Sequence, residues 1–319
     1  MVNKHSVRVA ASDAILKLQT KHVTNDLDLS IADLSNLLSL SGDVKRNPSR
    51  YMGALAGRYL SLLFEKPSLR TRLTFELAMQ QLGGSSILNT GPVGDREPIK
   101  DVARNLDRWT NGIVARTFSQ KTVDELARWS GVPVINALSD LYHPCQALAD
   151  VFTLQEHFGE LRGLKVAFLG DGNNVAHSLM LTATRLGASV AVATPAGYGP
   201  NAEISGRALA LAEASRSSLT ITNDPREALR GADAVYTDVW ASMGQESQKA
   251  QRMKDFAAFQ VTGQLLALAK PSAVFMHCLP ARRGEEVTDE VIESLRSVVF
   301  DQAENRLHTQ KALLLMLLA

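Results

Sequence analysis

Short apolar runs alternate with helical patterns along most of the chain. A strand that is buried on both faces reads as a continuous apolar run, and strands that alternate with helices are typical of parallel sheets. We therefore predict an α/β fold with two domains, each a parallel β-sheet flanked by helices. The predicted strands are 58–64, 85–88, 112–117, 133–137, 164–170, 188–194, 218–222, 232–238 and 272–278. The helices predicted in the first half are 69–82, 98–110, 122–130 and 144–159.

The ends of the predicted strands are where we expect ligand chemistry. In open parallel sheets, ligands bind beyond the carboxyl ends of the strands. The apolar runs end at Gly, Asp, Arg or His, so the polar residues at these ends are the first candidates. The polar stretch 41–50, by contrast, predicts a surface loop.

The segment FEKPSLRTRLTFE (64–76) joins the first predicted strand to a helix. Ser68 follows Pro67 and precedes the helical pattern, so it is a candidate N-cap. A helix N-terminus also offers unpaired N–H groups, which would bind a phosphate together with the hydroxyls of Ser68 and Thr71 and the guanidinium of Arg70. Taken alone, the segment fits either an ordinary capped helix or an anion site.

The segment GDGNNVAHSLM (170–180) follows a predicted strand and is similar to a dinucleotide-binding fingerprint. Val175 stands where that fingerprint needs its third glycine, which disfavours a nicotinamide cofactor. The alternative is a tight turn in which Asn173 or Asn174 caps the next helix. Both asparagines also offer amide groups to a polar ligand, and no cofactor is predicted.

The segment SDLYHPCQALAD (139–150) places His143 and Pro144 at a helix start, with Gln146 in the first turn. A single histidine is most often structural. The functional interpretation is a hydrogen-bonding pair, His143 and Gln146, directed at a carbonyl group. The histidines show no spacing typical of a metal site, so no metal is predicted.

Two later strands end in side chains that can take part in chemistry. The segment 237–246 leaves Asp238 at a strand end, and the segment 275–289 ends a strand with His277 and Cys278. A buried cysteine is most often a small hydrophobic residue, and a covalent role would need an activating base. The strand-end positions favour functional roles for Asp238 and Cys278.

The composition argues against two classes of partner. Lysines and arginines number 34 against 33 acidic residues, a net charge of +1, so no overall field attracts nucleic acid or an anionic membrane. Cys145 and Cys278 have neither disulfide-framework nor zinc spacing, which fits a reducing cytoplasm. The N-terminus lacks a signal-peptide pattern, and the apolar C-terminal tail is too short for a bilayer. We expect a cytoplasmic protein.

Several segments together resemble the aspartate/ornithine carbamoyltransferase family. In order, they are S-x-R-T-R, HPCQ, GDGNNVAHS, DVWASMGQE, HCLP and DQAENRLHTQKALL, and the match runs from about residue 58 to 315. The resemblance implies transfer of a carbamoyl group from carbamoyl phosphate to the δ-amine of L-ornithine, without a cofactor or metal. It also implies a homotrimer, or a multiple of one, with sites at subunit interfaces.

The resemblance assigns domains and site residues. The carbamoyl phosphate-binding domain is expected at 1–150, completed by a C-terminal helix at about 303–319 that packs back on it, and the ornithine-binding domain at 151–302. The residues expected to bind carbamoyl phosphate are Ser68, Leu69, Arg70, Thr71, Arg116, His143, Gln146, Cys278, Leu279 and Arg306. Those expected to bind ornithine are Asn174, Asp238, Ser242 and Met243. The catalytic residues implied are Arg116, His143, Asp238 and Cys278.

The chain departs from the family pattern at three positions. Pro92 stands where the family has a glutamine that reaches the carbamoyl phosphate of a neighbouring subunit, and proline has no side-chain donor and no N–H. Either that contact is missing or another residue of the same loop, such as Arg96, makes it. Leu69 replaces a threonine, which matters little if the position acts through its backbone. Arg282 replaces a histidine.

Three other functions compete with this interpretation. A carbamoyltransferase for another amine, such as N-acetylornithine or putrescine, is the alternative within the family. A nucleotide-dependent dehydrogenase is disfavoured by Val175. A non-catalytic amino-acid-binding protein would have little reason to keep both half-sites with their arginines.

Overall fold

The computed structural model describes residues 15–241 and 246–319. Strands β1–β4 are Tyr59–Phe64, Ser85–Thr90, Gly112–Arg116 and Val134–Leu138, and strands β5–β9 are Lys165–Leu169, Ser189–Ala193, Leu219–Thr222, Ala234–Thr237 and Val274–His277. Helices α1–α6 are Ile31–Arg46, Leu69–Gln81, Ile99–Trp109, Gln120–Trp129, Pro144–Phe158 and Asn174–Arg185. Helices α7–α12 are Ala202–Ser215, Pro225–Leu229, Lys249–Asp255, Gly263–Leu266, Asp289–Ile292 and Val299–Leu318.

Two parallel sheets organise the described part of the chain. The first has the strand order β2-β1-β3-β4, and the second has the order β7-β6-β5-β8-β9. Each neighbouring pair is parallel. The predicted fold class is confirmed, because every apolar run that predicted a strand overlaps one of these strands and helices flank both sheets.

The order of the strands fixes where crevices open. From β1 the chain winds to β2 on one side and then to β3 on the other, so the winding reverses between β1 and β3. In the second sheet the same reversal falls between β5 and β8. Ligands bind at such reversal points, beyond the carboxyl ends of the strands. The segments after β1, β3, β5 and β8 therefore surround the expected site.

The C-terminal helix α12 packs back onto the first domain, as predicted. It contacts α1, α2 and α5, and Leu313, Leu314 and Leu315 are buried in the same core as strand β1. Helix α12 also contacts β9, the last strand of the second sheet, so its side chains reach both halves of the molecule. No helix within the described ranges is both long and apolar enough to cross a membrane.

The prediction of a surface loop at 41–50 is wrong for its first half, because α1 continues to Arg46. The Ser41 hydroxyl donates to the Leu37 carbonyl at 2.7 Å, and Val44 is buried on the same helix face. Ser41 thus satisfies its polar group within the helix. Because most residues of this stretch are polar, the sequence pattern did not reveal that one face of the helix is buried.

Candidate active site

A cavity of about 490 Å³ lies between the two sheets at the carboxyl ends of their strands. Every described residue that the sequence assigned to the site lines it, whereas Ser242 and Met243 lie outside the described residues. The assigned residues in the lining are Ser68, Leu69, Arg70, Thr71, Arg116, His143, Gln146, Asn174, Asp238, Cys278, Leu279 and Arg306. Candidates spread over most of the chain therefore share one cavity.

One end of the cavity is the N-terminus of α2. Ser68 has an extended backbone, and its hydroxyl accepts the Thr71 N–H at 3.2 Å, so the predicted N-cap is present. The first N–H groups of a helix lack partners within it and attract negative charge. Leu69 is 70% exposed, so its side chain has no buried role, and this position can serve a ligand through its backbone. The cap and an anion site are compatible in one structure.

Three arginines gather beside this helix end. Burial, together with the neighbouring guanidiniums of Arg306 and Arg70, lowers the pKa of Arg116 to about 10. Arg116 nevertheless stays charged near neutral pH. The Nε atoms of Arg116 and Arg306 are buried without a hydrogen-bond partner among the described residues. Buried cations without enough partners are costly, so this cluster is suited to an anion with several oxygen atoms.

The start of α5 brings a neutral imidazole and an amide to the arginines. His143 is the N-cap and Pro144 the first helical residue, a position that suits proline. Burial, Arg306 and Arg116 hold the pKa of His143 well below its usual value, so the ring is neutral. The Gln146 carbonyl oxygen accepts from an Arg306 guanidinium nitrogen at 2.6 Å. These groups offer hydrogen bonds of both kinds to a small carbonyl ligand.

The opposite wall carries a carboxylate and a thiol. Asp238 follows β8, and its Oδ2 accepts from Asn173 Nδ2 at 2.8 Å. The Cys278 thiol donates to Asp238 Oδ1 at 3.0 Å. Burial raises the pKa of Cys278 well above its usual value, and the neighbouring Asp238 raises it further. The thiol is therefore a donor rather than a thiolate nucleophile, and the wall as a whole is suited to an amine.

The turn after β5 does not have the form of a dinucleotide site. Asn173 caps α6 by accepting the N–H groups of Val175 and Ala176 at 3.0 and 3.2 Å. A side chain on Gly172 would lie 2.2 Å from the Pro200 backbone nitrogen. The close approach of that backbone explains the glycine, which in a dinucleotide site would instead make room for a pyrophosphate.

Asn174 and Asn173 have separate roles. Asn174 Nδ2 donates to the Ser139 carbonyl at 2.6 Å, which joins α6 of the second domain to the loop that precedes His143. Asn174 also lines the cavity. Of the two asparagines that the sequence offered as caps, Asn173 is the cap and Asn174 reaches the site.

Among the described residues, one group of side chains consists of residue types that could hold a metal ion. The ligand atoms of Asp238, His277 and Cys278 lie within 4.8 Å of one another. Both His277 nitrogens already have partners, since Nε2 pairs with Glu286 at 3.0 Å and Nδ1 accepts the Leu279 N–H at 2.8 Å. These hydrogen bonds explain the arrangement, in which His277 holds the backbone around Cys278.

Sequence reasoning missed some residues that line the cavity. Lys66 lies in the wall, with its ammonium 4.6 Å from the centre of the Phe118 ring. Its position directly before Pro67 and Ser68 was an available signal. Arg282, which the sequence marked only as a departure from a family pattern, also lines the cavity.

Two models of one protein family match the chain. The aspartate/ornithine carbamoyltransferase carbamoyl-P binding domain matches residues 21–156, and the Asp/Orn binding domain of the same family matches residues 162–317. The ornithine carbamoyltransferase of Thermus thermophilus is 54% identical over 290 residues, which cover 90% of this chain and 93% of that relative.

Further relatives agree in sequence and in structure. The ornithine carbamoyltransferase of Carboxydothermus hydrogenoformans is 50% identical over 298 residues, which cover 91% of this chain and 95% of that relative. The solved structure of ornithine carbamoyltransferase from Pyrococcus furiosus matches with a TM-score of 0.91 at 46% identity, and the match covers 97% of this chain and 98% of that one.

Proposed function

The chain belongs to the aspartate/ornithine carbamoyltransferase family, and from this premise we propose that it transfers the carbamoyl group of carbamoyl phosphate to the δ-amine of L-ornithine. The products are L-citrulline and phosphate. One observation carries the proposal: a single cavity joins an arginine cluster at a helix N-terminus to a carboxylate and a protonated thiol on the opposite wall. An anionic carbamoyl donor and an amine acceptor fit these two ends.

The arginine end of the cavity binds carbamoyl phosphate in this proposal. The N–H groups at the start of α2, with Ser68, Arg70 and Thr71, hold the phosphate. Arg116 lies between the phosphate and the carbonyl oxygen, and the neutral His143 donates to that oxygen. Such preorganised donors stabilise charge that develops on the oxygen in the transition state.

The amine end orients the attacking nitrogen of ornithine. Asp238 accepts from the amine, and Cys278 keeps the carboxylate in place by its hydrogen bond. A lysine-like amine with a pKa of about 10.4 is neutral in about one molecule in a thousand near pH 7.4, a cost of roughly 4 kcal/mol. Selecting the neutral amine is therefore a large part of the catalytic task.

The reaction proceeds in two steps that balance without a cofactor or metal. The nitrogen lone pair attacks the carbamoyl carbon, and a tetrahedral intermediate forms with negative charge on the former carbonyl oxygen. The bond from carbon to the phosphate oxygen then breaks, and phosphate leaves with the electron pair. The departing phosphate takes the proton that the amine nitrogen loses. The reaction belongs to arginine biosynthesis, and we place it in the cytoplasm.

We also propose a homotrimer, or a multiple of one, with the sites at subunit boundaries. Leu69, Leu73 and Leu77 form an exposed apolar row on α2, directly beside the phosphate end of the cavity. The neighbouring edge strand β2 exposes Ile87. Apolar residues at an exposed edge favour burial against a second copy. In the loop after β2, Arg96 is the residue proposed to reach the neighbouring site in place of Pro92.

Light scattering after gel filtration tests the assembly. The unaltered chain is expected to run as a trimer or a multiple of it, and the double variant Leu73→Glu, Leu77→Glu as a smaller species. Leu209→Glu, at an exposed leucine on α7, is the matched control and should leave the mass unchanged. A trimer that persists in the double variant would place the interface elsewhere.

Product analysis with several acceptors tests the activity. The purified protein is supplied with carbamoyl phosphate and, in separate reactions, L-ornithine, N-acetylornithine, putrescine or aspartate, and phosphate and the carbamoylated product are quantified. L-Ornithine is expected to be the preferred acceptor. Preference for another amine would make the chain a different carbamoyltransferase, and ornithine binding without turnover would identify a binding protein.

A further inference from the structure

A chain of buried hydrogen bonds runs beneath the cavity from one wall to the other. Asp150 Oδ1 accepts from Gln146 Nε2 at 2.8 Å and from Gln302 Nε2 at 2.7 Å. Gln302 Oε1 in turn accepts the His277 N–H at 2.9 Å. All four residues are buried. We call this set, Gln146, Asp150, Gln302 and His277, the buried bridge.

The carboxylate of Asp150 determines which way the Gln146 amide points. Asp150 Oδ2 has no hydrogen-bond partner among the described residues, so a proton on this carboxyl would sit on Oδ2, and Oδ1 accepts in either charge state. Gln146 must therefore present its NH2 group to Oδ1. Its carbonyl oxygen is then directed to the opposite side, where it accepts from Arg306 at the cavity wall. Arg306 only donates and supports the same orientation from the other side, whereas without an acceptor at position 150 the buried NH2 group of Gln146 would lose its partner.

Gln302 fixes the second end of the bridge by the same logic. Its NH2 group is committed to Asp150 and, at 3.1 Å, to the Tyr236 hydroxyl. Its carbonyl oxygen must therefore face the backbone of His277, the residue before Cys278. Tyr236 lies on β8, two positions before Asp238. Gln302 thus contacts both strands whose ends form the amine wall.

We propose that Asp150 and Gln302 are positioning residues, which hold the Gln146 oxygen toward the NH2 group of carbamoyl phosphate and set its distance from the Asp238–Cys278 wall. The inference rests on the function proposed above. It also gives the site a basis for specificity, because an acyl phosphate with a methyl group in place of NH2 cannot donate to the Gln146 oxygen. Acetyl phosphate is such a molecule.

The experiment compares carbamoyl phosphate with acetyl phosphate in variants of the bridge. Asp150→Leu removes the acceptor and keeps the branched shape with a larger side chain, whereas Asp150→Asn keeps one acceptor oxygen. In Asp150→Leu we expect kcat/KM for carbamoyl phosphate to fall by about 10- to 100-fold, the range for a misplaced orienting group. The inhibition constants of acetyl phosphate and of inorganic phosphate should stay within about twofold, because they do not use the Gln146 oxygen. Asp150→Asn should recover most of the lost activity.

A double-variant cycle separates positioning from general damage. Asp150 acts through Gln146 in this inference, so adding Asp150→Leu to Gln146→Leu should cause little further loss for carbamoyl phosphate. If the losses of kcat/KM in the two single variants multiply in the double variant, Asp150 is only structural. The same holds if the affinity for inorganic phosphate falls in Asp150→Leu. The inference is also overturned if Asp150→Asn is as impaired as Asp150→Leu.

Gln302→Met provides a second test if Asp150→Leu does not fold. This variant should lower kcat and raise KM for both carbamoyl phosphate and ornithine, because Gln302 contacts both halves of the site. An effect on one substrate alone would contradict the bridge. Failure of the proposed function would look different, since the unaltered chain itself would then form no citrulline.

Discussion

The Cys278 thiol donates a hydrogen bond to Asp238 across 3.0 Å, and this pair joins the ends of β9 and β8. The thiol proton is held by burial and by the adjacent carboxylate, both of which raise the pKa of Cys278. A thiol that remains protonated is a weak nucleophile. The pair therefore fits the proposed role of orienting an incoming amine better than a covalent role.

Serine should replace Cys278 better than alanine does, because a hydroxyl keeps the hydrogen bond to Asp238. We expect Cys278→Ser to retain kcat/KM for ornithine within about tenfold and Cys278→Ala to lose more, mainly through a higher KM for ornithine. Steady-state kinetics checks this. Detection by mass spectrometry of a carbamoylated Cys278 after mixing with carbamoyl phosphate would contradict the assignment.

Arg70 and Arg72 provide a matched pair for the phosphate site. Arg70 lines the cavity, whereas the exposed Arg72 pairs with Glu76 at 2.9 Å on the same helix. Loss of a charge-assisted hydrogen bond to phosphate costs about 1.5–3 kcal/mol, so Arg70→Ala should weaken carbamoyl phosphate binding by about 10- to 150-fold. Arg72→Ala should change it little, because exposed pairs contribute little. Calorimetry measures carbamoyl phosphate binding by both variants. If Arg70→Ala binds as tightly as the unaltered chain, the α2 N-terminus is a helix cap and not a phosphate site.

The pH dependence of the reaction should follow the amine. We expect kcat/KM for ornithine to rise as the pH increases from 6 to 8, because the neutral amine becomes more abundant. The pKa of His143 lies well below its usual value, so the imidazole is already neutral and adds no inflection in this range. His143→Asn should lower the rate and keep the slope. A flat profile between pH 6 and 9 would contradict control by amine deprotonation.

Asp150 should make stability depend on pH. Burial raises its pKa from 3.8 to about 7, so between these values the folded chain binds a proton that the unfolded chain has released. The stabilisation that this bound proton gives the folded chain is fully present below the pKa of Asp150 in the unfolded chain, and it is lost as the pH rises through about 7. The Tm advantage of the uncharged Asp150→Asn should therefore widen from pH 5 to pH 8 in thermal scans.

Asp43 supplies the control for that measurement. A hydrogen bond from Tyr51 holds the pKa of Asp43 below its usual value. The stability that it contributes is lost only as the pH falls through that lowered pKa, so it is constant between pH 5 and 8. The Tm difference between Asp43→Asn and the unaltered chain should stay level over this range. A level difference for Asp150→Asn as well would show that its carboxyl is not strained by burial.

Most of the fold, and the part of the cavity lining that lies at strand ends, could be predicted because both follow from short segments. A buried parallel strand is visible as an apolar run, and its carboxyl end is the next polar residue, as at Arg116, Asp238 and Cys278. The parallel sheets bring these ends to one edge. Local sequence therefore carries the information for both the strands and the cavity.

The supports behind the site could not be predicted, because they join distant parts of the chain. Asp150 and Gln302 lie 152 positions apart, and so do Asp26 and Ser178. A single sequence shows that such residues are polar but not which of them meet. Asp150 is an extreme case, because it lies inside a helix that is buried over most of its length, and its partner Gln302 comes from another helix.

Ser178 and Thr182 test a second support, which holds His143 from the other domain. Both donate to the buried Asp26, at 2.6 and 3.0 Å, but only the Ser178 hydroxyl also accepts the His143 N–H, at 2.8 Å. Ser178→Ala leaves that N–H buried without a partner, at a cost of about 1–3 kcal/mol. Both alanine variants should lower Tm, and only Ser178→Ala should also reduce kcat/KM for carbamoyl phosphate, by about tenfold. Equal kinetic losses in the two variants would contradict a specific role for the Ser178–His143 contact, because Thr182→Ala disturbs Asp26 and leaves that contact in place.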